Sequence, residues 1–179
     1  MAAIQLSEHF VYIENQFFIT STVVDGVEIE NRLGDALVDR IIRAHREGTS
    51  WRACIVIPLL PGYPAPLDTA EASSVSILGP LSLNRSLAIQ VRLILECQNR
   101  TICRGTQSIF SRLRKEGIDV GRLAECILPI ANTESWQPDD YISFFSLRGW
   151  SKFKSGALTT EQVYIHGKVS IVSEESITS

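Results

Sequence analysis

The first apolar segment of the chain ends in an unusual polar cluster. The stretch HFVYIENQFFIT, residues 9–20, is rich in β-branched and aromatic residues, which predicts a strand. Within it stand three consecutive polar residues, Glu14, Asn15 and Gln16. Such a composition is unusual for a purely structural strand. It predicts a strand that carries polar groups to its end.

A helix and a second strand are predicted next. Between residues 31 and 47 apolar residues recur every three or four positions, which predicts a helix with one buried face. Asn31 can cap its start and Gly48 its end. The run ACIVIPLLPG, residues 53–62, is short, apolar and broken by proline, as expected of a strand buried on both faces. Strand, helix and strand in this order predict an α/β layered fold.

The middle of the chain has a different pattern. Residues 61–90 are rich in Pro, Ser, Ala and Leu with little periodicity, which predicts a long loop. A helical pattern returns over residues 91–116. Gly105 interrupts this pattern, so two helices are predicted in place of one.

The last third of the chain contains the candidate chemistry. Residues 139–150 predict an aromatic strand, residues 151–159 a polar loop and residues 160–172 a final strand. Strict alternation in that final strand would place His166 and Lys168 side by side on one face. The opposite face would then be apolar: Val163, Ile165, Val169 and Ile171.

A histidine and a lysine that project together can act on a phosphate group. The imidazole can exchange a proton or attack phosphorus, and the ammonium can neutralise a phosphate oxygen. The same spacing also occurs on the solvated face of an edge strand, where it has no catalytic meaning. The His-x-Lys pair alone therefore leaves both interpretations open.

Composition and charge limit the alternatives. The 17 basic and 20 acidic residues give a net charge of −3, so no general basic field is available to bind nucleic acid. No apolar run approaches the roughly 20 residues that span a bilayer, which predicts a soluble or membrane-peripheral protein. The cysteines show no C-x-x-C pairing, which predicts reduced structural thiols in a cytoplasmic chain; they are Cys54, Cys97, Cys103 and Cys126.

Six blocks of the sequence together resemble one known family. They are VYIENQFFIT, ENRLGDALVDRIIRAHREG, IVIPLLPGY, ECQNRTICRGTQSIFSRLRKEGID, YISFFSLRGW and TEQVYIHGKVSIV. In this order they resemble the C-terminal catalytic half of eukaryotic phospholipase D, and of the fungal enzymes in particular. The resemblance covers nearly the whole chain apart from about residues 68–90 and the final few residues.

This resemblance implies a fold and a reaction. The fold would be a mixed α/β/α sandwich, with residues 1–179 forming part of the second half of a two-fold domain. Each half of such a domain contributes one H-x-K-x-x-x-x-D motif to a shared site. The reaction would be hydrolysis of phosphatidylcholine to phosphatidic acid and choline, through a histidine-linked phosphatidyl intermediate, with no metal or other cofactor. The protein would be cytoplasmic and in peripheral contact with the membrane.

The resemblance also implies roles for single residues. His166 matches the motif histidine of the second half, which would protonate the leaving alcohol as general acid, and Lys168 would hold the phosphoryl oxygens. Glu14, Asn15 and Gln16 would lie near the cleft and bind substrate or orient a catalytic histidine. Alternatively, this polar trio would only satisfy hydrogen bonds at strand ends and turns.

The chain departs from the family pattern at several positions. Ser173 stands where the motif has its aspartate, which would normally support the site, and the Gly-Ser-x-Asn segment that follows the motif in the family is absent. No first-half H-x-K motif is present, because His9 is followed by Val11 and His45 by Glu47 at the lysine position. Residues 76–90 have no counterpart in the family and predict an inserted loop at about residues 68–90.

These departures leave three functions open. The chain could be an incomplete catalytic half, completed by a separate first half or by a second copy in a homodimer. It could instead be a non-catalytic fragment or pseudoenzyme that binds lipid phosphate. A third reading keeps the chemistry but changes the substrate to a nucleic-acid or cardiolipin-type phosphodiester. The acidic charge balance argues against a nucleic-acid partner.

Overall fold

The computed structural model describes residues 1–24, 27–58, 60, 83–118 and 141–173. Within these ranges the chain forms four helices and eight strands. The helices are α1 (Ala2–Leu6), α2 (Leu33–Glu47), α3 (Leu83–Ile102) and α4 (Ile109–Lys115). The strands are β1 (Phe10–Glu14), β2 (Val23–Val24), β3 (Val27–Glu28), β4 (Arg52–Val56), β5 (Ile142–Phe145), β6 (Arg148–Lys152), β7 (Leu158–Gln162) and β8 (Val169–Val172).

The central sheet has the strand order β5-β4-β1-β8. Strands β1, β4 and β5 are parallel, and β8 runs antiparallel to β1 at the edge of the described sheet. The parallel strands therefore end together at Glu14, Val56 and Phe145. Val169 begins β8 opposite Glu14, so β8 starts at this same carboxyl edge. The predicted α/β class is confirmed, with a mixed sheet.

Helix α2 links β1 to β4 and matches its predicted pattern closely. The side chain of Asn31 accepts a hydrogen bond from the Leu33 N–H at 2.9 Å, and the Thr20 hydroxyl accepts one from the Gly34 N–H at 2.9 Å. These two bonds satisfy N–H groups that a helix start leaves without partners. Gly48 ends the helix in the left-handed conformation, with φ of 65°. The predicted Gly48 cap is confirmed; at the other end the residue in the N-cap position is Arg32, and Asn31 caps the first turn from one position before it.

One hydrophobic core lies between the sheet and the helices. It is built from residues on the β1, β4 and β5 strands, on α2 and on α4, including Val11, Ile13, Leu37, Ile41, Ile55, Phe110, Leu113 and Ile142. Trp51 and Phe18 are also almost fully buried. Phe144 meets Phe18 and Phe110 edge to face, with ring centroids 5.5 and 6.0 Å apart. This core holds the central sheet and therefore its carboxyl edge in place.

The two-helix prediction for residues 91–116 is confirmed, but the loop prediction is wrong for residues 83–90. Helix α3 begins at Leu83, before the predicted start. The sequence contains no glycine or proline between Leu81 and Ile102, so a helix once formed can extend toward its amino end. Gly105 lies between α3 and α4 with φ of 80°. The rest of the predicted insertion, residues 68–82, lies outside the described residues, as do Cys126 and residues 174–179.

The predicted final strand over residues 160–172 is wrong in its middle. Residues 158–162 form β7, which pairs with β6 in a hairpin, and residues 163–168 are irregular before β8 begins. Among the described strands, none pairs with residues 163–168, because β1 ends at Glu14, opposite Val169. The predicted alternation of two strand faces is consequently not formed over residues 163–168. Of the predicted apolar face, only Ile165 is buried, whereas Val163, Val169 and Ile171 are 42–50% exposed.

Candidate functional site

The candidate site lies at the carboxyl edge of the central sheet. Glu14 ends β1 there, and Asn15 and Gln16 follow it directly. His166 and Lys168 lie just before β8, which starts opposite Glu14. In open α/β sheets the crevice outside the carboxyl ends of the strands is where ligands bind. Although residues 163–168 do not form a strand, the fold thus brings the predicted polar trio and the predicted His-x-Lys pair to one edge.

His166 is exposed and accessible to a ligand. Its ring stacks on that of Tyr164, with centroids 6.3 Å apart and planes inclined by 30°. Neither ring nitrogen of His166 is hydrogen-bonded to any of the residues that the structure describes. An imidazole in this setting can take or give a proton at either nitrogen, as a general acid or base must.

Lys168 is held against the backbone of His166. Its Nζ donates a hydrogen bond to the His166 carbonyl oxygen at 3.2 Å, and the side chain is otherwise exposed. An ammonium group has three donors, so this bond leaves two for an incoming anion. The Lys168 side chain is therefore held by a local hydrogen bond to the His166 backbone, in place of the predicted strand geometry.

Gln16 connects the polar trio to the His166 segment. Its side-chain Nε2 donates to the Tyr164 hydroxyl at 2.7 Å, and Tyr164 in turn stacks on His166. The Asn15 side chain accepts from the Gln16 backbone N–H at 2.8 Å, and the Asn15 N–H donates to the Val56 carbonyl at 3.1 Å. These bonds fix the turn that follows β1. Gln16 is thereby one contact away from the His166 ring.

Glu14 faces a tyrosine on its own strand. The Tyr12 hydroxyl donates to the Glu14 carboxylate at 3.5 Å. Burial raises the pKa of Tyr12 above its usual value, and the nearby charge of Glu14 raises it further. The phenol therefore stays protonated at neutral pH and remains a donor to the carboxylate. Among the described residues, no hydrogen bond joins Glu14 or Asn15 to His166 or Lys168.

Sequence reasoning missed the position of Tyr164 in the site. Alternation along a strand would also place Tyr164 on the face of His166, but this pattern alone gives Tyr164 no role. Its hydroxyl and its ring make two different contacts, one to Gln16 and one to His166. An aromatic residue two positions before the motif histidine was the available signal. This signal can be interpreted only when the turn after β1 is known to lie beside Tyr164.

Ser173 lies away from the His166–Lys168 pair. Its hydroxyl accepts hydrogen bonds from the N–H groups of His9 and Phe10 at 3.0 and 2.9 Å. This is the amino end of β1, whereas His166 lies at the carboxyl edge. Among the described residues, Ser173 therefore makes no hydrogen bond to the side chain of His166 or Lys168, and the supporting role of an aspartate at this position stays a prediction. Ser173 instead fastens the end of β8 to the start of β1.

Replacing Ser173 by alanine is expected to lower the free energy of unfolding by about 1 kcal/mol, because two backbone N–H groups lose their acceptor. Urea denaturation measures this change. Ser173→Asp should retain part of the stability, since a carboxylate accepts both bonds but cannot donate to the Phe10 carbonyl as the serine hydroxyl does at 3.2 Å. Ser170→Ala is the matched control, because Ser170 is exposed on the same strand. Equal losses of unfolding free energy in Ser173→Ala and Ser170→Ala would contradict the role of Ser173 in joining β8 to β1.

The two arginines of the NRTICRG block form ion pairs with a carboxylate of α3. Arg100 on α3 and Arg104 just after it both contact Glu96, at 2.6 and 3.3 Å. These pairs favour the interpretation of both arginines as solvated surface charges over a role in binding lipid phosphate. Arg112 likewise lies beside Asp35. Neither arginine of the block contacts the His166 segment within the part of the chain that the structure describes.

Comparison with known proteins relates this chain to one class of enzyme. A mixed α/β sheet that presents an exposed His-x-Lys pair at its carboxyl edge has the features that the sequence predicts for half of a phospholipase D-like domain. The chain is 42% identical over 175 residues to Phospholipase D1 of Schizosaccharomyces pombe, which is 97% of this chain and 10% of that protein. It is 45% identical over 172 residues to Phospholipase D1 of Saccharomyces cerevisiae, or 96% of this chain and 8% of that protein.

The similarity extends beyond fungi. Phospholipase D zeta 1 of Arabidopsis thaliana is 37% identical over 174 residues, 97% of this chain and 13% of that protein. No family model matches the chain. The resemblance inferred from the six blocks is confirmed: the chain is homologous to a segment of phospholipase D. It spans about a tenth of the length of the curated relatives it matches.

Proposed function

We propose that this chain supplies one half of the active site of a phospholipase D-type phosphodiesterase. His166 is its general acid and Lys168 its phosphate-binding cation. The observation that carries the proposal is an exposed His166 at the carboxyl edge, with the Lys168 ammonium bonded to the His166 backbone, on a chain homologous to phospholipase D over 97% of its length. The substrate is a phospholipid, phosphatidylcholine, and the products are phosphatidic acid and choline.

The proposed reaction has two steps. A histidine from a second H-x-K unit attacks phosphorus, and the bond from phosphorus to the choline oxygen breaks while His166 gives its proton to that oxygen. The neutral His166 then takes a proton from water, which attacks phosphorus and releases phosphatidic acid and the nucleophilic histidine. Lys168 stabilises the charge that develops on the phosphoryl oxygens in both steps.

The second H-x-K unit must come from outside this sequence. The sequence has three histidines, and only His166 is followed two positions later by a lysine. A first catalytic half elsewhere, or a second copy of this chain, would supply the other pair. The absence of a second pair also favours one alternative function, a non-catalytic protein that binds lipid phosphate through Lys168.

The proposed substrate requires contact with a membrane. No helix among the described residues is long and apolar enough to cross a bilayer. We therefore propose peripheral contact from the cytoplasmic side, with the carboxyl edge of the sheet turned to the lipid headgroups. Glu14, Asn15 and Gln16 would border the bound headgroup, and Gln16 would also position the His166 segment through Tyr164.

A segment exchange tests the proposed function. The matching segment of the Schizosaccharomyces pombe relative is replaced by this chain, and release of choline from phosphatidylcholine vesicles is measured. We expect the exchanged protein to be active and the relative with this segment deleted to be inactive. Vesicle binding that depends on Lys168, without any choline release, would instead support the non-catalytic alternative.

A double-mutant cycle tests the positioning role of Gln16. Gln16→Leu and Tyr164→Phe each remove the same hydrogen bond, so in the exchanged protein each is expected to lower kcat by several-fold. Their coupling energy is expected to be about 1 kcal/mol, because the second substitution removes nothing further. KM should change little in Tyr164→Phe, because Tyr164 is not proposed to contact the headgroup, whereas Gln16→Leu also alters a residue that borders it. Additive effects would show that the two side chains act independently.

A further inference from the structure

The β6–β7 hairpin has one face that combines apolar and basic side chains. Its register pairs Trp150 with Thr160 and Lys152 with Leu158. Since alternate residues of a strand share a face, Arg148, Trp150, Lys152 and Leu158 lie on the same side of the hairpin. The other side carries small and polar side chains, those of Gly149, Ser151, Thr159 and Glu161.

The apolar residues of this hairpin are unusually exposed. Trp150 is 74% exposed and Leu158 76%, and Phe153 in the connecting turn is 61% exposed. Single exposed apolar residues are common on protein surfaces, but three on one short hairpin, two of them aromatic, indicate a contact surface. We call these three residues, with the three basic residues beside them, the hairpin patch: Arg148, Trp150, Lys152, Phe153, Lys154 and Leu158.

The charge of the hairpin patch identifies its partner. Arg148, Lys152 and Lys154 have no ion-pair partner among the residues that the structure describes, and all three are exposed. Basic residues beside an anionic membrane are attracted to its surface, and aromatic rings favour the depth of the headgroups. Lys and Arg can meanwhile lay their apolar stems along the lipid and keep their charges in water. The chemistry of the hairpin patch is thus complementary to an anionic phospholipid surface.

The hairpin is joined to the candidate site. It follows β5 at the carboxyl edge of the sheet, and the Val163 N–H donates to the Leu147 carbonyl at 2.8 Å at the base of the hairpin. The Gln162 side chain further bonds the backbone of Leu60, with N···O distances of 3.0 and 3.1 Å. The His166 segment begins directly after β7. A membrane bound at the hairpin patch would therefore present its headgroups close to the edge that carries His166.

We propose that the β6–β7 hairpin is the element by which this protein contacts membranes, with the hairpin patch seated in an anionic phospholipid interface. Its alignment with the site rests on the proposed function, but the binding itself requires no turnover. If the protein binds vesicles but releases no choline, only the proposed function is overturned. If the wild-type protein does not bind vesicles, only the hairpin proposal is overturned.

Vesicle binding with a fluorescence readout tests the proposal. The whole chain is mixed with vesicles of phosphatidylcholine and phosphatidylserine, in which the acyl chains of the phosphatidylcholine are brominated to quench nearby tryptophan. The protein has three tryptophans, so the measurement is made in a Trp136→Phe background. We expect quenching in that background and its loss when Trp150→Phe is added, because Trp51 is buried in the core. Quenching that persists after both substitutions would overturn the proposal.

Two further variants separate the apolar and electrostatic contributions. Trp150→Ser with Phe153→Ser is expected to weaken vesicle binding at least about 10-fold through lost apolar contact. Lys152→Gln with Lys154→Gln should weaken it on the order of 10-fold with phosphatidylserine present and much less without it. Leu6→Ser is the matched control, since Leu6 is 73% exposed on α1, which precedes the amino end of β1 at the opposite edge of the sheet. Binding that is equal in all variants would overturn the proposal.

The alternative occupant of the hairpin patch is a second copy of the chain. Size-exclusion chromatography of the wild type and of Trp150→Ser with Phe153→Ser tests it. A wild-type dimer that this double variant dissociates, with no vesicle binding by either protein, would overturn the membrane proposal. Because the substituted side chains are exposed, far-UV circular dichroism and thermal unfolding should be unchanged in every variant.

Discussion

His166→Asn in the exchanged protein is expected to lower the rate of choline release at least about 10²-fold, the contribution typical of a general acid. Asparagine keeps the size of the side chain and some hydrogen bonding but cannot donate a proton to the leaving alcohol. His166 is exposed and lies in an irregular segment, so the substitution should not change the free energy of unfolding. Steady-state choline release and urea denaturation, measured on the same preparation, separate the two effects.

Two lysine variants are the controls for the His166 result. Lys168→Met removes the charge proposed to hold the phosphoryl oxygens, and it is expected to lower kcat by about 10²-fold. Lys168→Arg keeps the charge and should retain more of the activity, although a guanidinium cannot reproduce the geometry of an ammonium. Equal activity of the wild type, His166→Asn and Lys168→Met would show that this edge of the sheet is not the site of reaction.

Trp51→Ala is expected to lower the free energy of unfolding by about 3–5 kcal/mol, the usual cost of removing a large aromatic side chain from a core. Trp51 is 1% exposed, and its Nε1 donates to the Ser7 hydroxyl at 2.9 Å. The guanidinium of Arg40 lies 5.0 Å from the centre of its ring. Arg40 also donates from Nε to the Ser7 carbonyl at 2.8 Å, and burial lowers its pKa. Removal of the Trp51 ring would leave a cavity beside the buried Arg40 guanidinium.

Two other tryptophan variants make the stability result specific. Trp51→Phe keeps much of the apolar volume and loses the hydrogen bond to Ser7, so a smaller loss of about 1–2 kcal/mol is expected. Trp150→Ala should change the free energy of unfolding by less than about 0.5 kcal/mol, because Trp150 is exposed on the hairpin. Urea denaturation of the three variants gives the comparison. Similar losses of unfolding free energy in Trp51→Ala and Trp150→Ala would contradict the placement of Trp51 in the core.

The sequence predicts the parts of the fold that depend on local patterns. Helix α2 has a regular apolar face, a side-chain cap from Asn31 and a glycine at its end, and all three features are present in the structure. The parallel strands β1 and β4 are likewise predicted, because each is a short apolar run beside that helix. In these segments the local preferences and the long-range packing agree.

Prediction from the sequence fails where the structure of a segment depends on a partner that is distant along the chain. Residues 163–168 alternate as a strand would, but β1 ends before it could pair with them. The Ser173 position belongs to a motif, yet its hydroxyl bonds His9 and Phe10, which are more than 160 residues away along the chain. A pattern of side chains specifies which faces a strand would have and does not specify whether a neighbouring strand is present.

The sequence predicts which residues belong to the candidate site better than it predicts the contacts between them. The sequence singled out His166, Lys168 and Gln16, and the fold brings them to one edge. Tyr164 could not be assigned beforehand, because its contact with Gln16 joins residues 148 positions apart. The roles of His166 and Lys168 follow from the resemblance to phospholipase D and stay predictions.

The most direct test of the account is a burst experiment on the exchanged protein with phosphatidyl-p-nitrophenol as substrate. p-Nitrophenol leaves without being protonated, so the first step should no longer need a general acid. His166→Asn is then expected to release one equivalent of p-nitrophenol rapidly and to stall, because the second histidine still attacks phosphorus while water is no longer activated. A His166→Asn protein that gives no burst, or that releases choline from phosphatidylcholine as fast as the wild type, would contradict the assignment of His166 as general acid.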